Sequence, residues 1–504
     1  MIEREDFPDL ANARALWARG ESDAALAAFD ASVEARPENV KALIEAARAF
    51  GGRFDIEKAE GLLERAQRIG ADDSGTLALI AASYGRIYRE SRAIHAFEAM
   101  DDRVAFARAE LAALYERSGR LDEALAEIEI CCDMAKDAPE PRLAKARILR
   151  RKGQRDSARL LLQALTGPEG QALLRAEALS ELCYIEDLNG NATEAANAIA
   201  AAHAILRALP DGAHLLERAR ANNRLIQRMA REFRAGTLKT WREAAPANIP
   251  TAHLTGFPRS GTTLLEQFLD AHPGLVASPE RVVFTRDILP RLCNAAGGPL
   301  SVATLNNVPP EVQRKERDRY LTYMAAALGA PFADRVHLDK NPNHTGLIPA
   351  LLRLDPHARI VFALRDPRDV VTSCVMRSFR PTEFSAMLMD WGTACELYAT
   401  EMGAWLRYRE RIPAHQWVET RYEDMVADPM AEVRRILPVL GLEWDEAILG
   451  WQKRLDGKVV NSPTQTEVRQ PVHRNAVGRW QAYRQYLQPH LNVLAPFIKA
   501  FGYA

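Results

Sequence analysis

The sequence predicts a chain in two parts, an α-helical solenoid over residues 1–245 followed by an α/β domain with a P-loop-type parallel sheet over 246–504. Alanines recur at a near-constant interval through the first part, each followed four residues later by a larger apolar residue. Near Pro246 and Pro250 the composition changes and short β-rich runs begin to alternate with helical stretches. At Gly256–Thr263 a glycine-bounded loop follows one of those runs and opens a helix. A chain of 504 residues also exceeds what one ordinary core organises.

The first part is rich in Ala, Leu, Arg and Glu and nearly free of proline inside its periodic segments, which is helix composition. The recurring pairs are Ala25/Phe29, Ala59/Leu63, Ala93/Phe97, Ala124/Ile128, Ala158/Leu162 and Ala195/Ile199, at spacings of 34, 34, 31, 34 and 37 residues. A small alanine lets two helices approach, and the residue four positions on fills the same face. Gly20, Gly119, Gly153 and Gly190 stand five residues before four of these alanines, where a glycine ends one helix and turns the chain into the next. The second and third units lack that glycine. Pro37 fits a stop after the second helix. Period and offsets resemble the tetratricopeptide repeat, over about six units. An alanine-rich bundle without true repeats is the plainer alternative. Such solenoids present a concave surface to a peptide or protein.

Composition narrows the functional classes. Apolar residues make up 47% and charged residues 26%, near globular averages. With 66 basic and 67 acidic side chains, no electrostatic footprint for nucleic acid is expected. The six cysteines are scattered, without metal spacing or the density of a disulfide scaffold, and read as free thiols. The acidic start, Met1-Ile2-Glu3-Arg4-Glu5-Asp6, and the lack of an apolar run of about 18 residues lead to the expectation of a cytoplasmic protein with no membrane span.

In the second part, His253-Leu254-Thr255, Arg359–Leu364 and Gln416–Thr420 read as strands, with helices around 262–271, 310–329, 367–379, 384–411 and 428–440. That alternation implies a parallel sheet with a nucleotide site at the strand C-termini. The loop Gly256-Phe257-Pro258-Arg259-Ser260-Gly261-Thr262-Thr263 has the context of a phosphate cradle. Its glycines allow backbone N–H groups to converge, while Ser260, Thr262 and Thr263 add hydroxyls and Arg259 a charge. Thr262 stands where a nucleoside triphosphatase needs lysine, which turns the loop away from ATP or GTP hydrolysis. A second segment, Arg365-Asp366-Pro367-Arg368-Asp369-Val370-Val371-Thr372-Ser373, begins at a strand end. Arg365 and Ser373, eight residues apart, can grip one phosphate from the two ends of its first helical turns.

Together, Phe257–Leu265 and Arg365–Ser373 resemble the sulfotransferase family, over roughly residues 250 to 503. The resemblance implies 3′-phosphoadenosine 5′-phosphosulfate (PAPS) as donor and 3′,5′-adenosine diphosphate (PAP) as product. It places the 5′-phosphosulfate on Arg259, Ser260, Gly261, Thr262 and Thr263, and the 3′-phosphate on Arg365 and Ser373. The helical repeats in front point to the tetratricopeptide-repeat sulfotransferases. Asp270-Ala271-His272-Pro273 followed by Glu280 is similar to the segment of tyrosylprotein sulfotransferases in which a glutamate acts as catalytic base. Lys340, in Leu338-Asp339-Lys340-Asn341-Pro342, is similar to a lysine that stabilises the leaving phosphate, with Arg259 assisting. Tyr422, in Arg421-Tyr422-Glu423-Asp424, and Arg479, before Trp480 in the closing run from Val468, are implied as nucleotide contacts, and Thr464 as a hydroxyl near the transferred group.

No Mg²⁺ ligand set and no other metal site is expected, because fixed donors do the electrostatic work. Ser278-Pro279 replaces the Gly-Glu of those relatives, and Val282 stands where an acceptor-contacting arginine is expected. Peptide tyrosine, carbohydrate, lipid and small phenol therefore stay open as acceptors. A peptide or protein in the repeat groove is the expected partner, nucleic acid is not, and a homodimer is compatible. The rival readings are a P-loop kinase-like enzyme, which would need a lysine at 262, and a repeat scaffold with an inactive transferase domain.

Overall fold

The structure is a computed structural model and describes residues 7–70, 73–245, 250–377, 379–455 and 469–503. Thr464 and Val468 lie outside the described residues. The chain divides into two compact units. The first comprises residues 1–141 with 283–287 and 318–331, and the second comprises 142–282, 288–317 and 332–504. No helix among the described residues is long and apolar enough to cross a membrane.

The first unit is built of helix pairs: Pro8–Ala18 with Ser22–Ala35, Val40–Gly52 with Ile56–Ile69, Ser74–Arg86 with Glu90–Glu98, and Ala105–Ser118 with Leu121–Met134. Its three repeat alanines before residue 100, Ala25, Ala59 and Ala93, are each 0% exposed, and their partners Phe29, Leu63 and Phe97 are buried with them. The turn position five residues earlier is left-handed in every unit. Gly20, Gly119, Gly153 and Gly190 adopt φ between 77° and 85°. In the second and third units Phe54 and Tyr88 take the same conformation, at φ 66° and 64°. A side chain there costs about 1–2 kcal/mol. Burying Phe54 returns roughly 1.5–3 kcal/mol, and its ring stacks on Tyr88 at 6.3 Å and meets Tyr323 tilted at 6.1 Å. The turn is kept and the glycine is replaced by a packing anchor. Beside it, Arg53 pairs with the buried Asp287.

The second unit begins with repeat helices Pro139–Arg151 (from residue 142), Arg155–Gln163, Ala172–Leu188 and Ala192–Arg207, followed by Gly212–Glu232 and Ala235–Ala244. Ala176, Ala195, Ile199 and Ala202 share one core with Met376, Met389 and Tyr483, which joins these helices to the sheet region.

Five strands follow: β1 (Thr251–Gly256), β2 (Leu275–Pro279), β3 (Val336–Lys340), β4 (Arg359–Leu364) and β5 (Trp417–Arg421). All pairings are parallel, in the order β2-β3-β1-β4-β5. Connections leave β1 and β4 toward opposite edges, so the switch point that hosts ligands in such sheets lies between them. β1, β4 and β5 match the strands read from the sequence, β5 shifted by one residue; β2 and β3 were not read as strands. β2 ends in proline and β3 carries Asp339 and Lys340, residues that strands disfavour. The single helix read over 384–411 is two, Glu383–Met387 and Trp391–Arg409. Asp390 divides them by accepting the amides of Gly392 at 2.9 Å and Thr393 at 3.1 Å as an N-cap.

Parallel strands alternate their side chains between two covered faces. Ala252, Leu254, Ala277, Leu338, Val361 and Ala363 form one face, packed by Leu265, Phe268 and Leu269 of the helix Thr262–Asp270. The other face carries Thr251, His253, Thr255, Ser278, His337 and Asp339, all buried. A buried polar layer inside a parallel sheet must be satisfied internally.

Candidate active site

Each strand delivers one sequence-predicted residue at its C-terminal end. The glycine loop leaves β1, Glu280 follows β2, Lys340 ends β3, Arg365 follows β4 and Tyr422 follows β5. Because the strands are parallel, all five ends lie on one edge of the sheet.

The loop is held open by three left-handed residues, Gly256 (φ 153°), Arg259 (φ 73°) and Gly261 (φ 87°). A Cβ at Gly256 would sit 2.4 Å from the Ala363 carbonyl oxygen, so the close β1–β4 approach requires glycine. A Cβ at Gly261 would meet the Tyr422 ring at 2.6 Å. The helix Thr262–Asp270 starts directly after it, and its first-turn amides lack intrahelical acceptors, which favours an anion. Ser260, Thr262 and Thr263 are buried with the loop.

The two motifs meet. Arg259 Nε donates to Ser373 Oγ at 3.1 Å, and Arg365 Nη1 donates to the Arg259 carbonyl at 3.0 Å. Arg365 Nη2 donates to the Ala476 carbonyl, and its guanidinium lies 4.9 Å from the Tyr422 ring centre. Arg259, Gly261, Arg365, Ser373 and Tyr422 thus form one connected group. Asp366 caps the helix Pro367–Val375 through the Arg368 amide, and its own amide donates to Glu423 at 3.0 Å. Burial pushes the Cys374 thiol beneath the loop up to about 12, so it stays protonated and unreactive.

Lys340 and Glu280 form a second group. The ammonium is fully buried, 2.6 Å from Glu280 Oε1 and 3.3 Å from Glu266 Oε2. Burial alone pulls the Lys340 pKa down, but Glu266 and Glu280 outweigh it and raise it above the ordinary value, so the cation is kept. Glu280 takes a left-handed φ of 44°, and its amide donates to the Lys340 carbonyl at 2.7 Å, continuing the β2–β3 ladder by one bond. Its side chain is 31% exposed where Glu266 is 1%, so of the two carboxylates Glu280 is the one an acceptor can reach.

Arg479 is placed differently. Its guanidinium pairs with Asp187 of the helix Ala172–Leu188, which also accepts from Tyr483 Oη at 2.7 Å. The backbone on either side is fixed by Asp369, which accepts from the Gly478 amide at 2.7 Å and the Trp480 amide at 2.8 Å. Burial raises the Asp369 carboxyl more than Arg365 and these amides lower it. Asp187, Glu266 and Asp369 were not singled out from the sequence. Glu266 carried a signal, a charge within the apolar run Leu264-Leu265-Glu266-Gln267-Phe268; Asp187 did not, because its partner is remote in the chain.

The sulfotransferase family matches this chain over residues 250–446. Protein-tyrosine sulfotransferase 1 of Danio rerio is 26% identical over 271 residues, covering 51% of this chain and 73% of that protein. A putative protein-tyrosine sulfotransferase of Caenorhabditis briggsae is 24% identical over 258 residues, covering 49% and 87%. Among solved structures, the sulfotransferase domain of the Synechococcus olefin synthase aligns with a TM-score of 0.36 at 22% identity, over 50% of this chain and 97% of that one. The family match begins at β1 and extends past β5, so it contains the strand ends that carry the loop, Glu280, Lys340, Arg365 and Tyr422. The chain is a sulfotransferase, with a sulfotransferase-family domain that follows a series of helical repeats.

Proposed function

We propose that the enzyme transfers a sulfuryl group from PAPS to an acceptor hydroxyl, with peptide or protein tyrosine as the acceptor. The observation that carries this reading is the convergence of five parallel strand ends on one edge, each with a residue suited to one part of the donor or of the reaction. The loop amides with Ser260, Thr262 and Thr263 cradle the 5′-phosphosulfate. Arg365 and Ser373 hold the 3′-phosphate, Tyr422 packs at the nucleotide, and Arg479 is the candidate contact on the 3′-phosphate side.

The chemistry balances with groups present. Glu280 accepts the proton of the acceptor hydroxyl as its oxygen bonds to sulfur. The bond from sulfur to the bridging oxygen breaks, and its electron pair leaves on the 5′-phosphate of PAP. Lys340 and Arg259 stabilise that charge. An ammonium carries three N–H donors, so the two carboxylates leave one for the bridging oxygen. The transfer is an in-line positioning problem of the same kind as phosphoryl transfer. Tyrosine is favoured by the names of the relatives, and the repeat domain, which we place at 1–245 ahead of a catalytic domain at 246–504, offers a peptide-binding surface.

The test is incubation of the full chain with PAPS and acidic tyrosine peptides, read by mass spectrometry. Sulfotyrosine product supports the acceptor assignment. PAP release with sulfate on a carbohydrate, lipid or phenol, but never on tyrosine, overturns it while leaving the donor intact.

A further inference from the structure

The polar face of the sheet holds an assembly that the transfer reaction does not use. β1 and β3 are parallel neighbours in the register His253↔Asp339, so these two side chains leave the same face side by side. The 3₁₀ turn Pro342–Leu347 after β3 brings in His344. Nδ1 of His253 and Nδ1 of His344 each lie 3.8 Å from the same atom, Asp339 Oδ2. One ligand atom from each residue lies within 4.8 Å of the other two. The three residues are 3%, 1% and 1% exposed.

The neighbours on this face show what an ordinary hydrogen-bonded pair looks like here. His337 Nε2 meets Ser278 Oγ at 2.9 Å, and Thr255 Oγ1 meets Thr345 Oγ1 at 3.2 Å. The two contacts to Asp339 Oδ2 are longer than hydrogen bonds. Atoms that share one metal ion at about 2.0–2.2 Å stand roughly 3–4 Å apart; both separations to Asp339 Oδ2, at 3.8 Å, fall in that range, and the three ligand atoms all lie within 4.8 Å of one another.

We propose that His253, Asp339 and His344 bind one divalent transition-metal ion, zinc in the first instance, as a structural site within the sheet. Two imidazoles and a carboxylate without thiolate suit zinc and its neighbours better than magnesium or calcium, which favour all-oxygen sets. Burial excludes substrate, so the ion's work is mechanical. It clamps β1 to β3 one residue before Lys340, at the point where that lysine leaves the sheet, and it offsets the cost of an ionised carboxylate in the interior. The sequence did not signal it, because the ligands lie on two strands and a turn without a compact motif.

Tag-free full-length protein, stripped with a chelator and titrated with Zn²⁺ alone, tests the site by metal analysis and calorimetry. One tightly held zinc per chain is expected, with a matching rise in melting temperature. His253→Gln and His344→Gln should each weaken zinc binding by at least about 100-fold. Cobalt(II) loaded into the wild-type protein should give visible absorption of a nitrogen- and oxygen-ligated ion, and this readout does not depend on a variant folding. Wild-type protein that takes up no zinc or cobalt, or variants that bind zinc as tightly as wild type, overturns the proposal and leaves the cluster as part of the polar layer.

Discussion

The helical repeats and the strand ends of the sheet put their critical residues to work in opposite ways. In the repeats one device recurs: a fully buried alanine, a larger residue four positions on, and a left-handed turn five positions before. No single copy is decisive, and where the turn glycine is lost, Phe54 and Tyr88 keep the conformation and use it for packing. At the sheet edge nothing recurs. Arg259, Glu280, Lys340 and Arg365 each appear once, each held by partners distant in sequence. Redundant positions should tolerate change at a small cost in stability, whereas change at the singular ones should cost donor binding or turnover.

That contrast can be broken from either side. The largest effect is expected at Glu280. Glu280→Gln removes the proton acceptor and should lower turnover by roughly 10²–10⁴-fold with the dissociation constant for PAP nearly unchanged. Steady-state turnover and calorimetry on the same preparation check both halves, and full turnover would remove Glu280 from the mechanism. Next is Arg365→Ala, which removes a charged donor from the phosphate grip and the bond to the Arg259 carbonyl. Loss of about 1.5–3 kcal/mol of donor binding, some ten- to hundredfold in affinity, is expected, and an unaltered dissociation constant would contradict its role.

Stability tests sharpen the other side. Burial raises the Glu401 carboxyl to about 7, on the helix Trp391–Arg409. Because its folded pKa exceeds its unfolded one, it contributes most below about pH 4.5, and that contribution is lost as the pH rises through 7. Glu401→Gln should therefore raise stability at pH 8 relative to pH 5 by about 2–3 kcal/mol, measured by denaturant unfolding at the two pH values. The smallest effect is expected in the repeats. A Cβ at Gly153 meets nothing within 4 Å, so Gly153→Ala exposes the backbone cost alone. About 1–2 kcal/mol is expected, with PAP binding unaltered; a loss of PAP binding would show that the repeats are not as forgiving as the comparison holds.

Much of this was legible in the sequence because periodicity and motif are local properties. The repeat alanines, the glycine loop, β1 and β4 all announce themselves within a few residues. What stayed hidden was made by tertiary pairing. β3 reads poorly as a strand because Asp339 and Lys340 belong to buried polar partnerships that only the fold supplies. Asp369 and Asp187 act across 109 and 292 residues of chain, on the Gly478 amide and on Arg479. Left-handed backbone at Phe54, Tyr88, Arg259 and Glu280 was equally invisible, since nothing in a side chain announces a strained φ.

The central claim is that the loop after β1 and the segment after β4 together grip a nucleotide by two separate phosphates. Titration calorimetry of the full chain with PAP, with ATP and with 5′-AMP tests it most directly. The account predicts tight, one-to-one binding of PAP and much weaker binding of the two nucleotides that lack the 3′-phosphate. Equal affinity for PAP and 5′-AMP, or a preference for ATP, would contradict it.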